Sequence, residues 1–365
     1  MGSATSAASS SARTAARCWS PGSASKASAS PREGGPLTTA GLFVGGLLLI
    51  VVAAELFTNA VEWAGFRLGL AAGATGSLLA ALGTALPETT VPVVAIIRGG
   101  ADSDAVAVGA IVGAPFLLLT LGVAITGAAV AARRRDPELR PVMAQVRRDL
   151  GTFLAGFAVL LIGIALPHGM RIALAAGLVL LYARHVRATL SGSDPASERP
   201  EPLHLRRRSE RPSGPAIATQ LLIAVAMLIA GAELFVRAVE NTGHAFHISP
   251  LLLAVVVVPL ATELPEMFNS VLWVRSGDDG LAAGNVFGAT AFQACLPGAL
   301  GLAFTDWSPG PLGLVNGILT LLAGVYTLGL LHDGRARGSL LMLSTLPWVA
   351  YLVLVLAVGS RFQPA

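Results

Sequence analysis

The sequence predicts an all-α membrane protein of about ten transmembrane helices arranged as two inverted five-helix repeats, and three observations lead there. Of 365 residues, 54% are hydrophobic and only 13% charged, about half the charged share of a soluble globular domain. The apolar residues fall in long runs, such as 42–57, 151–166, 221–234 and 340–358, each near the roughly 20 residues that cross a bilayer. Two glutamate-bearing segments also recur in the second half. Glu55 lies in AAELF and Glu233 in GAELF, Glu88 in GTALPE and Glu266 in ATELPE, with separations of 88 − 55 = 33 and 266 − 233 = 33.

The elements follow in order. Residues 1–37 are rich in Ser, Ala, Gly and Pro and hold no apolar core of the kind a cleavable signal peptide needs, so they read as a disordered tail. Spans are expected at 39–63, 72–98, 104–131, 150–166 and 169–187, forming a first repeat over 38–187. Five more, at 215–240, 249–274, 280–303, 311–331 and 339–359, form a second over 215–361. The runs are too continuous for the alternating strands of an outer-membrane barrel. Between the repeats, 188–214 carries Arg199, Arg206, Arg207, Arg208 and Arg211 among prolines and serines and reads as a flexible basic linker.

Alternating spans put the loops 132–149, 188–214 and 332–338 on one face, and these are the basic ones, with Arg133, Arg134, Arg135, Arg140, Arg147 and Arg148 in the first and Arg335 and Arg337 in the last. The positive-inside rule therefore predicts a multi-pass inner-membrane protein with a cytoplasmic linker. An odd number of spans per repeat makes the second enter from the opposite side, which is the inverted architecture of many secondary transporters. The net charge of +4 arises from these loops, so nucleic acid is not an expected partner. Cys18 and Cys295 offer no disulfide framework or metal spacing.

The chemistry is expected at the two PE segments. Pro87 has no amide hydrogen and its ring collides with the carbonyl four residues back, which breaks the helix and frees the oxygen of Gly83. A freed carbonyl in hydrocarbon needs a partner, and Glu88 sets a carboxylate beside it. Charged side chains at mid-membrane are functional candidates by default. In the second repeat Pro265 frees the oxygen of Ala261, and Glu263 and Glu266 lie three apart. Two like charges that close are costly without a cation, so one is expected to hold a proton when no ion is bound. Structural kinks with protonated, hydrogen-bonded glutamates are the alternative, but a kink alone does not require the acid in both copies.

The third and eighth spans begin with Gly109 and Gly113 and with Gly284 and Gly288, small residues four apart that let helices approach closely. Asn285, Thr290 and Gln293 are polar within an apolar run and are expected to add neutral oxygen ligands. Glu55 and Glu233 fall late in their spans, as interface or supporting groups, and His244 and His247 as solvated loop residues.

These residues resemble the calcium/cation antiporter superfamily, which includes the sodium/calcium exchangers. Its repeated pattern is a GAEL segment, a GTSLPE helix and a GNxxGSNxxN helix, and the likeness spans both halves. The resemblance implies cation-binding roles for Glu88, Glu266, Thr84 and Thr262. It departs at Ala85, Ala110, Ala114, Pro115 and Leu118, at Ala289 and Thr290, and at Gln293, which stands where the family has an acid, while Glu263 is an added carboxylate.

Hard divalent cations take six to eight oxygens, several anionic. Glu88, Glu263 and Glu266 are therefore the expected metal ligands, with the carbonyls of Gly83 and Ala261 beside them. The expected function is exchange of Ca2+ or a related cation against Na+ or H+, with no cofactor and no enzymatic role, since HExxH, nucleophile-elbow and P-loop motifs are absent. The alternative is a non-transporting family member with a structural or cation-sensing role.

Overall fold

The structure, a computed structural model, describes residues 36–67, 86–133, 137–190, 201–206, 211–246 and 248–358. Residues 1–35 of the expected tail, and Gly83 and Thr84, lie outside them.

The first half comprises α1 (Pro36–Arg67), α2 (Leu86–Arg98), α3 (Ala101–Ala131), α4 (Met143–Gly163) and α5 (His168–Leu190). The second comprises α6 (Gly214–Phe246), α7 (Pro250–Thr262), α8 (Leu264–Ser276), α9 (Asp279–Phe304), α10 (Gly310–Leu330), α11 (Gly338–Met342) and α12 (Thr345–Val358). This is an all-α membrane protein. Among the described residues, seven helical segments are long and apolar enough to cross a bilayer. The remaining expected spans fall short for visible reasons: α2 is described only from Leu86, the span 249–274 is divided at Glu263 into two 13-residue helices, and the first turns of α4 are polar.

Boundaries moved where polar residues continue a helix. The expected span 150–166 runs instead from Met143 to Gly163, because Gln145, Arg147 and Arg148 extend the helix past the apolar run. Likewise α6 reaches Phe246 rather than 240, its last turns held by Glu240, which accepts from Arg98 at 2.8 Å and Ser103 at 2.7 Å.

Packing is centred on α3 and α9. Their apolar stretches are 89% and 72% buried, against 22% in α1 and α5, so α3 and α9 lie in the interior and α1 and α5 in the outer shell. Close backbone approach sets the directions. A Cβ on Gly109 would lie 2.7 Å from Leu251 O and one on Gly113 2.4 Å from Val255 O, so α3 and α7 run parallel in contact. In α4 and α9, Gly156 meets Cys295 and Gly163 meets Leu302, again parallel. Helices α1 and α6 run antiparallel: Phe43 stacks on Phe235 with centroids 4.6 Å apart, Gly46 abuts Gly231, and Gln220 donates to Leu56 O and Asn59 Oδ1 at 2.9 Å each.

The loops pair as the alternation of spans expects. Glu138–Leu139 and Ala336–Arg337 form a two-stranded antiparallel ribbon that joins the first and last basic loops. On another face Arg171 donates to Asp306 O, linking the α4–α5 and α9–α10 loops. Part of the expected flexible linker is instead pinned. Trp63 donates to Glu201 O at 2.7 Å, the His204 amide to Asn59 Oδ1 at 3.2 Å and the Leu205 amide to Gln220 Oε1 at 2.9 Å, so 201–206 lies over the meeting ends of α1 and α6. Polar side chains at these helix ends satisfy linker backbone groups that water would otherwise serve.

Candidate cation-binding site

Glu88 enters on the first turn of α2, one residue after Pro87, and is 4% exposed. On the other side of the site the chain breaks as its prolines require. Helix α7 ends at Thr262, Glu263 occupies the joint with φ −93° and ψ 0°, and α8 resumes at Leu264 with Pro265 in its first turn. Proline in a first turn forfeits no intrahelical bond of its own, but it leaves Ala261 O without an i+4 donor. The joint is short: the Glu263 amide still donates to Pro259 O at 2.8 Å and Met267 N to Glu263 O at 3.1 Å. Glu263 and Glu266 are both 0% exposed, and Thr262 is buried and donates to Val258 O at 3.2 Å.

Gln293, on α9, brings the halves together. Its Nε2 donates to Glu88 Oε1 at 3.2 Å and to Glu263 Oε1 and Oε2 at 3.1 and 3.0 Å, all buried. Glu88 Oε2, Gln293 Oε1 and both carboxylate oxygens of Glu266 have no hydrogen-bond partner among the described residues. Buried acceptors normally have one. Four partnerless oxygens on side chains this buried supply the kind of donor set that hard cations take.

The expected three-carboxylate cage is not formed in this arrangement. Among the described residues no three His, Cys, Asp or Glu side chains stand close enough to hold a metal ion. Glu88 and Glu263 instead share an amide donor, and Glu266 makes no side-chain hydrogen bond.

The other expected ligands divide. Asn285 is turned to the backbone, donating to Glu266 O at 2.8 Å and to Ser270 Oγ at 3.0 Å. Thr290 donates within its own helix to Phe287 O at 2.8 Å. Ser270, fully buried and donating to Glu266 O at 2.9 Å, had not been singled out in the sequence. Its position one turn after Glu266, on the same helix face, is the sequence signal that could have found it. Glu55 and Glu233 stand apart from the site, Glu55 against His204 at 3.2 Å and Glu233 between Arg98 and Arg237. His244 pairs with Asp102 at 3.0 Å, and His247 lies outside the described residues.

The sequence pattern of the sodium/calcium exchanger proteins matches residues 38–186 and 217–358, which is most of the chain. The chain belongs to the sodium/calcium exchanger protein family. Within and around that family, it is 24% identical over 269 residues to the putative antiporter CaxA of Alkalimonas amylolytica, covering 68% of this chain and 75% of that protein. It is 24% identical over 341 residues to the inner membrane protein YrbG of Escherichia coli K12, covering 87% and 97%. Among solved structures it is similar to the H+/Ca2+ exchanger CAX, with TM-score 0.69 at 16% identity over 89% of this chain and 86% of that one. It is also similar to the sodium-calcium exchanger NCX_Mj, with TM-score 0.55 at 19% identity over 88% and 98%. Family and fold are thus those of ion exchangers rather than catalytic enzymes.

Proposed function

We propose that this exchanger-family protein is a secondary active antiporter that moves Ca2+ or a related cation against Na+ or H+ by alternating access, with Glu88, Glu263 and Glu266 as the charged ligands. One observation carries the reading: buried carboxylates from the two halves meet on a single amide, Gln293, beside acceptor oxygens that have no donor among the described residues. Three carboxylates this buried do not all carry charge without a cation or protons to offset them. Competition between ion and protons for the same oxygens is the coupling an antiporter needs. The Gln293 amide nitrogen cannot ligate a cation, so ion entry breaks its hydrogen bonds or turns its oxygen inward. Thr84, Thr262 and Asn285, with the carbonyls of Gly83 and Ala261, complete the proposed set.

The same reading makes the halves an inverted pair of five spans each. It is supported by the antiparallel run of α1 and α6 and by the shift between copies, 233 − 55 = 178 and 266 − 88 = 178. Applied to the Gly46–Gly231 contact, that shift gives Ala224 and Ala53, both 0% exposed. The relatives named as antiporters and exchangers favour this function, and the basic loops favour a cytoplasmic linker. The test is cation flux into vesicles with imposed Na+ or pH gradients. Wild type is expected to transport under at least one gradient and Glu88→Gln and Glu266→Gln under neither; full transport by both variants overturns the assignment.

A further inference from the structure

A second site lies outside the carboxylate cluster, and it does not rest on the exchange reading. Between the start of α4 and the end of α5 is a cavity of about 330 Å³. Arg147 and Arg148 line it from α4, and Arg184 and His185 from α5. Among the described residues none of the three arginines has a hydrogen bond or ion pair within the protein. The floor is polar and built: Thr152 and His185, each 9% exposed, sit with Thr152 Oγ1 3.1 Å from His185 Nδ1, and Asp149 backs the ring with Oδ1 3.6 Å from Nε2. Among the described residues Asp149 is the one carboxylate shown beside this lining, so three guanidiniums stand there against one acid.

The pocket continues into apolar surface. Gly151 and Ala155 are exposed on α4, and a Cβ on Gly151 or on Gly177 of α5 would touch nothing within 4 Å. Leu180, one turn before Arg184, is 70% exposed. Small and apolar exposed residues therefore continue from the arginines along the surface of α4 and α5. Arginine forks match phosphate oxygens bidentately, and basic pockets between spanning helices on the positively charged side take phospholipid headgroups.

We propose that this pocket binds the phosphate of an anionic phospholipid, with Arg147, Arg148 and Arg184 on the headgroup and an acyl chain lying over Gly151, Ala155 and Gly177. A free phosphate shares the headgroup chemistry but has no use for the apolar surface. The site also reaches the protein's interior: Gly156, one turn from Thr152, packs on Cys295 of α9, two residues from Gln293.

The experiment uses the full chain in nanodiscs of phosphatidylglycerol mixed with phosphatidylcholine, and reads retained lipids by native mass spectrometry. Wild type is expected to keep phosphatidylglycerol preferentially. The Arg147→Ala, Arg148→Ala, Arg184→Ala triple variant should lose that preference by on the order of a hundredfold, from about fivefold per arginine, while the corresponding triple lysine variant should keep part of it. If the triple alanine variant does not fold, Arg148→Ala and Arg184→Ala singly should each lose about fivefold. Three outcomes overturn the proposal: no preference in wild type, full preference in the folded alanine variants, or inorganic phosphate displacing the bound lipid at millimolar concentration.

Discussion

The two PE segments share a motif and differ in what they bring to the centre. Among the described residues, the first half delivers one carboxylate, Glu88, which accepts from Gln293 and whose second oxygen has no partner there. The second delivers two: Glu263, whose oxygens both accept from Gln293, and Glu266, whose oxygens accept from none of the described residues. The cause is local. In the second half the helix breaks at Glu263 itself, so that carboxylate issues from the joint, while Ala85 occupies the matching position of the first motif. The motif recurs in both halves, and a side-chain difference at one position, Ala85 against Glu263, makes what they deliver unequal.

That inequality predicts unequal variants. Glu88→Gln removes the one carboxylate ligand proposed for the first half and is expected to weaken cation binding by at least about a hundredfold, since affinity follows the count of anionic oxygens. Glu263→Gln should weaken it less and change the coupling instead. Calorimetry in buffers of different ionisation heat is expected to find fewer protons released per cation bound, and an unchanged number would remove Glu263 from the proton pathway. Replacing the shared donor sharpens the contrast. Gln293→Leu leaves Glu88 and Glu263 without it, and each lost bond to a charged group is worth about 1.5–3 kcal/mol, so the apo protein is expected to melt lower and to recover with added cation.

Smaller effects test the frame around the site. Gly113→Val drives a side chain into Val255 O and Pro259 across the α3–α7 contact, where a Cβ already falls 2.4 and 2.8 Å from them. A loss of about 1–3 kcal/mol in unfolding stability is expected; an unshifted thermal transition would mean the helices are not in contact there. The smallest effect is at the surface. Arg98→Ala cuts the half-exposed pairs with Glu233 and Glu240 and should cost no more than about 1 kcal/mol, with transport retained.

Much of this was legible in the chain. Long apolar runs forced helices because lipid offers the backbone no partner, and Pro265 marked the broken helix of the second half because it has no amide hydrogen and its ring crowds the preceding turn; the matching break expected at Pro87 falls at the edge of the described residues. Charge in the loops foretold which of them meet, as at the ribbon of Glu138–Leu139 with Ala336–Arg337. Some boundaries were hidden: the first turns of α4 carry Arg147 and Arg148 and read as loop, although charged residues extend a helix readily once it leaves the hydrocarbon.

Residue types and local bonding were thus determined by the sequence alone: which segments are helices, where proline interrupts them, and that carboxylates lie within apolar runs. Partnerships were decided only by the tertiary structure. Nothing local indicates that Gln293, which bonds Glu263, also reaches Glu88 across 205 residues of chain, that Asn285 turns to the backbone of Glu266, or that Arg147, Arg148 and Arg184 share a cavity. Side-chain hydrogen bonds and pockets depend on how helices cross, and those crossings are set by the close contacts of Gly46, Gly109, Gly113 and Gly231 with distant backbone.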